Sequence, residues 1–210
     1  LVVSLVPYTY HPLVAEICIE EKKNMVTASY VSERMEKLDS SAGEAAILIL
    51  NEIGLDPGID HMSAMKIIHD VNKRGGQIES FHSYCGGLPA PQANTNPLGY
   101  KFSWSPRGVV LAGKNSARYL KNNEEVIVES RDLFTHTWDL SVDSIGTLEA
   151  YPNRDSIPYI DIYGLKDIST LYRGTLRYPG WCATWKALTD LGFLSLEQKE
   201  SLRKLTYTDL

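Results

Sequence analysis

With 210 residues, 43% of them hydrophobic, the chain can bury one sizeable core, or one core and part of a second. Charged residues make up 22% and the formal net charge is −5, so there is no basic excess to neutralise a phosphate backbone and nucleic acid is not an expected partner. No apolar run reaches the ~18 residues of a membrane helix, and three cysteines, Cys18, Cys85 and Cys182, without CxxC spacing argue against a disulfide framework or a metal site and for a reducing compartment.

In chain order, Leu1–Pro7 (LVVSLVP) reads as a buried strand with neither an initiator methionine nor signal-peptide organisation, so a segment is expected to precede it. A helix follows over about His11–Lys23, a strand over Asn24–Tyr30, a helix over about Ser32–Ala45 and a strand over Ala46–Gly54. Continuously apolar strands separated by amphipathic helices indicate βαβ units around a parallel sheet. Residues 1–57 are therefore expected to form part of a doubly wound, Rossmann-like α/β domain.

Past Pro57 the rhythm changes. Met62, Met65, Ile68 and Val71 fall at helical spacing over about Asp60–Arg74, with Asp60 as N-cap and Gly75–Gly76 closing the helix. Residues 77–85, QIESFHSYC, alternate with period two as a strand with unlike faces. A helix over about Pro106–Lys121, strands over Glu125–Ser130, Gly146–Tyr151 and Thr170–Tyr178, and two helices after Trp181 complete an α+β domain over residues 58–210, a mixed sheet backed by helices.

Chemistry is expected where parallel strands end, since ligands of doubly wound sheets bind at the strands' carboxyl ends. The tails SLVPYTYH, TASYVS and NEIGLDPGIDH are polar and should meet at one crevice. Asp56, inside a Leu-Asp-Pro-Gly turn, can be a turn former capping its own backbone, and Asp60 and His61 receive no catalytic role. Ser29 and Tyr30 end the second strand, where a tyrosine is commonly half-buried packing although its hydroxyl would face the crevice. Cys85 ends a later strand just before Gly86–Gly87, in FHSYCGGLPAP; a lone cysteine is often a small core residue, but glycines at a strand end permit close backbone approach to a ligand. Arg154, Arg173 and Arg177, in YPNRDS and RGTLRY, lie beside strand ends, where a planar guanidinium suits carboxylates and where a surface ion pair is the plainer alternative.

Taken together, VVSLVPYTYHP, VTASYVS, NEIGLDPGIDHMSAMK, SYCGGLPAP, NPLGYKFSWSPRGV, YPNRDS and RGTLRY resemble the saccharopine reductase family, the glutamate-forming, NADP-dependent saccharopine dehydrogenases, from Leu1 to about Phe193. The resemblance implies NADP-dependent interconversion of saccharopine with glutamate and 2-aminoadipate 6-semialdehyde in lysine metabolism. It implies that Ser29 and Tyr30 contact substrate, that Asp56 and Cys85 stand beside the reacting carbon, and that Arg154, Thr175, Leu176 and Arg177 hold substrate carboxylates. On the cofactor side it implies Leu5, Val6 and Pro7, then Leu55, Asp56 and Pro57, with Trp104 bordering the pocket. Asp56, Cys85 and Tyr30 are the groups available for proton transfer, with their roles not apportioned. A homodimer is expected, cytoplasmic, or mitochondrial if fused to a lysine-ketoglutarate reductase. The alternatives are a dehydrogenase of the same plan with another substrate, a homologue that has lost activity, and a dimerisation module.

Family members carry a Gly-rich phosphate loop on a first strand and helix, and further sheet segments after a helical insertion; neither is present in this sequence. The isolated chain is therefore expected neither to hold NADP tightly nor to turn over, because the glycines that seat a pyrophosphate at a helix N-terminus are lacking. A titration of the isolated chain with NADP that gave ordinary dinucleotide affinity would contradict this.

Overall fold

The computed structural model describes residues 1–103, 105–197 and 206. They fall into two compact units, Leu1–Gln77 and Ile78–Leu210.

The first unit is built on parallel strands β1 (Val2–Ser4), β2 (Met25–Thr27) and β3 (Ile49–Leu50), in that order across the sheet. Helix α1 (His11–Glu20) follows a 3-10 turn at Tyr8–Tyr10 and starts with Pro12 in its first turn, where a missing N–H costs nothing. Its buried Ala15 and Cys18 pack with Met25 of β2 and Met35 to form the core of this unit. The single helix expected over Ser32–Ala45 is instead α2 (Glu33–Glu36) and α3 (Asp39–Glu44), joined where the Leu38 N–H bonds the Met35 carbonyl at 3.0 Å. The interruption falls at Lys37 and Leu38, ahead of DSSAG, which is itself helical in α3.

Helix α4 (Ile59–Lys73) ends in a Schellman arrangement, with Gly75 N bonded to Asn72 O and Gly76 N to Val71 O. Two details differ from expectation. Its buried residues are Ala64 and Ile68, whereas Met62 is 58% exposed, so the apolar stripe is rotated away from Met62. The N-cap is Gly58, not Asp60: the Asp60 carboxylate reaches back to accept from the Gly58 N–H at 2.7 Å. Gly58 takes the cap because the chain crosses itself there, with φ +149°, and any Cβ would stand 2.1 Å from the Gly54 carbonyl oxygen.

The second unit is a mixed sheet of β4 (Ser80–Cys85), β5 (Ala117–Lys121), β6 (Glu124–Val128), β7 (Trp138–Val142), β8 (Gly146–Pro152) and β9 (Thr170–Arg177). The order is β6-β5-β9-β8-β7, and β4 also pairs with β9, in parallel, while the other pairings are antiparallel. Helices α5 (Pro106–Ala112) and α7 (Trp181–Asp190) supply Val109, Trp181 and Trp185 to a core shared with Val128, Phe134 and Tyr151; the short helix α6 spans Tyr159–Ile162.

The helix expected over Pro106–Lys121 stops at Ala112, and residues 117–121 are strand β5. Gly113, Lys114 and Asn115 turn the chain out of the helix, and Asn122 and Asn123, both with positive φ, make the tight turn that pairs β5 with β6. Strand β7 was not anticipated. Of the two helices expected after Trp181, α7 is one; the other falls largely outside the described residues. Among the described residues no helix is long and apolar enough to cross a membrane, and no group of His, Cys, Asp and Glu is placed to hold a metal.

Leu171 of β9 is fully buried and pairs with Phe81 of β4 and Leu120 of β5. Leu171→Ala leaves a cavity at the junction of these strands, so a loss of about 2–5 kcal/mol is expected in chemical unfolding; a loss under ~1 kcal/mol would show that the second unit does not depend on this junction.

Candidate functional site

In the first unit the strand tails stay ordered beyond the strands. The Glu52 N–H bonds the Ser29 carbonyl and the Ile53 N–H bonds the Thr27 carbonyl, each at 3.1 Å. The β2 and β3 tails therefore run side by side as they leave the sheet. The Gly54–Gly58 crossing then throws Leu55 and Asp56 outward: Gly54 N bonds Pro57 O and Ile59 N bonds Gly54 O, both at 2.9 Å. The Asp56–Pro57 peptide is cis.

This crossing brings two of the expected site residues together. The Tyr30 phenol donates to Asp56 Oδ1 at 2.9 Å, and both side chains are partly buried. Around them the tails are apolar and open: Leu5 is 83% exposed and Leu55 66%, with Val6 and Pro7 also exposed.

A residue given no role by the sequence reading organises the same strand ends. His11, the first residue of α1, is buried; its Nδ1 lies 2.8 Å from Ser4 Oγ, and its Nε2 lies 2.8 Å from Ser29 Oγ and 3.1 Å from Thr27 Oγ1. Ser4 and Thr27 are buried as well. The available signal was a histidine at the start of the helix that follows β1, opposite Ser and Thr at the ends of two neighbouring strands.

In the second unit Cys85 closes β4 in register with Thr175 of β9, which sets both side chains on one face of the sheet. Cys85 is partly exposed, whereas Cys18 and Cys182 are buried. Burial pushes both of those thiols up, helped at Cys182 by the Glu149 carboxylate. That carboxylate is itself occupied, accepting from the Gly180 and Cys182 backbone N–H groups at 2.7 and 2.9 Å. The close approach expected for Gly86 is made with the protein's own backbone, since a Cβ there would stand 2.6 Å from the Leu176 carbonyl oxygen; at Gly87 a Cβ would meet only the Tyr100 hydroxyl, at an ordinary 3.9 Å. The loop beyond is tied to the end of β9 by the Tyr178 hydroxyl, which donates to the Pro89 carbonyl at 3.0 Å.

Arg177 is buried, with its guanidinium carbon 5.0 Å from the Tyr100 ring centre and 5.1 Å from that of Trp181. Its Nη1 donates to the Leu176 carbonyl at 2.8 Å, while Nε has no acceptor among the described residues. An oriented cation with an unused donor suits an incoming carboxylate. Thr175 bonds the Tyr151 phenol, which burial pushes up and the neighbouring Arg177 charge draws down. Arg173 is engaged within the fold, donating to the Tyr159 hydroxyl at 2.8 Å. Arg154 is exposed on the loop after β8 with φ +57°. It lies beyond the last β8–β9 partners, Pro152 and Gly174, and its carbonyl accepts from the Arg118 N–H at 3.0 Å. Trp104 lies outside the described residues.

Residues 54–209 match the family model "Saccharopine dehydrogenase C-terminal domain" and residues 1–50 match "Saccharopine dehydrogenase NADP binding domain". The chain is 48% identical over 204 residues to a saccharopine dehydrogenase [NADP(+), L-glutamate-forming] of Pyricularia oryzae, covering 97% of this chain and 45% of that protein. It is 47% identical to a mitochondrial alpha-aminoadipic semialdehyde synthase of Mus musculus, covering 97% of this chain and 22% of that protein. Among solved structures, an apo saccharopine dehydrogenase (L-Glu forming) from Saccharomyces cerevisiae superposes with a TM-score of 0.84 at 47% identity, covering 94% of this chain and 44% of that one. The chain thus spans less than half the length of these relatives.

Burial holds His11 below the ordinary imidazole value. Between the two values the unfolded chain binds more protons, so stability from this group is complete above pH ~6.5 and is lost as pH falls through the folded value. Unfolding titrations between about pH 7 and pH 5 should show a shallower decline in His11→Gln than in the parent chain. His82, also lowered by burial, is common to both proteins and cancels; equal slopes would contradict the prediction.

Proposed function

The chain belongs to the saccharopine dehydrogenase family, and from that premise we propose that its full-length gene product interconverts saccharopine with glutamate and 2-aminoadipate 6-semialdehyde, using NADP. The observation that carries this reading is the Tyr30–Asp56 hydrogen bond, which holds a phenol and a carboxylate at the carboxyl ends of adjacent parallel strands, among exposed apolar tails.

Leu5–Pro7 and Leu55 offer open, apolar surface beside those strand ends, while Asp56 is half-buried and Pro57 buried. This fits the ring-bearing half of a dinucleotide, whereas the sequence contains no Gly-rich loop to cradle its pyrophosphate. When bound, NADP supplies the hydride acceptor for the carbon attached to the substrate nitrogen. The chain's own groups handle the rest of the reaction. Oxidation leaves a carbon–nitrogen double bond that must take up water and release glutamate, and each of those steps moves a proton. Asp56 and Tyr30 form a pair through which a proton can pass to or from the substrate nitrogen, with Cys85 as an auxiliary group.

Saccharopine carries carboxylates at both ends, and cations set apart are suited to it. Arg177, stacked and buried with a free donor, takes one carboxylate, helped by Thr175 and the Leu176 backbone; Arg154 takes another. Ser29 contacts substrate beside Tyr30. Residues 1–57 then act as the cofactor part and 58–210 as the substrate part. Homodimer formation through the second part is included in the proposal. A cytoplasmic enzyme, or a mitochondrial one if fused to a lysine-ketoglutarate reductase, is the setting proposed.

A spectrophotometric assay of the full-length gene product tests the reaction: saccharopine-dependent reduction of NADP with release of glutamate is expected, and a folded, NADP-binding protein silent with saccharopine would point to a different substrate. In that enzyme Asp56→Asn should lower kcat by about 10²–10⁴-fold, the usual worth of a positioned acid or base. Cys85→Ala should slow turnover without abolishing it. A folded Cys85→Ala enzyme with no turnover would overturn the auxiliary role.

A further inference from the structure

The most complete polar cluster of the first unit is one that the proposed chemistry does not use. His11 spends both ring nitrogens on hydroxyls, Nδ1 on Ser4 and Nε2 on Ser29 and Thr27, and meets no carboxylate among these partners. A neutral imidazole donates from one nitrogen and accepts at the other, and a hydroxyl can answer in either sense, so all these contacts can be satisfied at once. A buried histidine satisfied in this way is ordinarily structural. What sets this one apart is where its contacts lead. Ser4 is the last residue of β1, Thr27 the last of β2, and Ser29 stands next to Tyr30, which is bonded to Asp56.

Ser29 has little freedom except at its side chain. Its carbonyl accepts from Glu52 N at 3.1 Å, and its own N–H reaches Thr27 Oγ1 at 3.4 Å. What remains is the χ1 rotation and the direction of the O–H bond, and the 2.8 Å contact with His11 Nε2 restricts both. We infer that His11 is a positioning residue that fixes the Ser29 hydroxyl for substrate, and that through Ser4 and Thr27 it holds the carboxyl ends of β1 and β2 in the arrangement this requires. The inference rests on the reading of Ser29 as a substrate contact.

The test is kinetic, in the full-length enzyme, with His11→Ala, His11→Gln, Ser29→Ala and the His11→Ala/Ser29→Ala double variant. Loss of one well-placed hydrogen bond corresponds to about tenfold. His11→Ala is therefore expected to raise the saccharopine KM ~10-fold while the NADP Kd changes by less than about twofold. His11→Gln, which restores a polar atom near the Nε2 position, should recover most of this. The double variant should bind saccharopine no worse than Ser29→Ala, since the two residues act as one unit.

Additive losses, or an NADP Kd that moves as much as the saccharopine KM, would overturn the inference. If Ser29→Ala raises the saccharopine KM and folded His11→Ala does not, the inference fails and the substrate reading of Ser29 stands. If Ser29→Ala itself leaves that KM unchanged, the substrate reading fails and the inference goes with it. Should His11→Ala not fold, Ser4→Ala decides: it lies one ring away from Ser29, and a rise of about threefold in saccharopine KM supports the role while an unchanged KM overturns it.

Discussion

Backbone pairing along β9 is the constraint on which the second unit depends. β4, β5 and β8 all pair with this strand, and its Leu171 is fully buried between Phe81 and Leu120. Alternation along a strand then commits Arg173, Thr175 and Arg177 to one face and Tyr172 and Leu176 to the other. A slip of one residue would exchange the two sets, moving the guanidinium groups away from Tyr159, Tyr100 and Trp181 and onto the face where His82 stacks on Tyr172. The register that buries Leu171 is thus the same register that sets Thr175 beside Cys85 and presents Arg177 to Tyr100 and Trp181.

In the first unit the corresponding constraint is the parallel sheet. Parallel neighbours send their tails out at the same end, so residues that follow β2 and β3 meet without any direct sequence signal between them. This is why the whereabouts of Ser29, Tyr30 and Asp56 could be read from the strand tails, while the Tyr30–Asp56 hydrogen bond could not. The bond depends on the Gly54–Gly58 crossing, which turns Asp56 toward Tyr30; from the residues alone, a carboxylate capping its own turn was the more ordinary outcome.

Other features were hidden for different reasons. The helix that was carried too far, to Lys121, shows apolar spacing outweighing turn chemistry: Gly113–Asn115 and the Asn122–Asn123 pair were the better guide, because two adjacent residues with positive φ fit a tight hairpin and not a helix. β7 is a five-residue strand with polar residues on alternate positions, too short to stand out before its partner β8 is known. His11 escaped because a histidine at the start of a helix has many explanations, and only the folded backbone brings Ser4, Thr27 and Ser29 around it. Arg177 could be singled out by type, but its ring partners come from Tyr100 and Trp181, on separate segments.

That arrangement of rings has a consequence for how the protein can vary. Tyr100 and Trp181 lie against the guanidinium group, and a planar, weakly hydrated cation tolerates such surroundings far better than a compact ammonium does. Lysine at position 177 would preserve the charge but lose the plane, the stacking and the backbone-directed donor together. Drift at this position is therefore tied to drift at two aromatic ones, and an exchange that looks conservative on paper is closed to the chain unless all three change in concert.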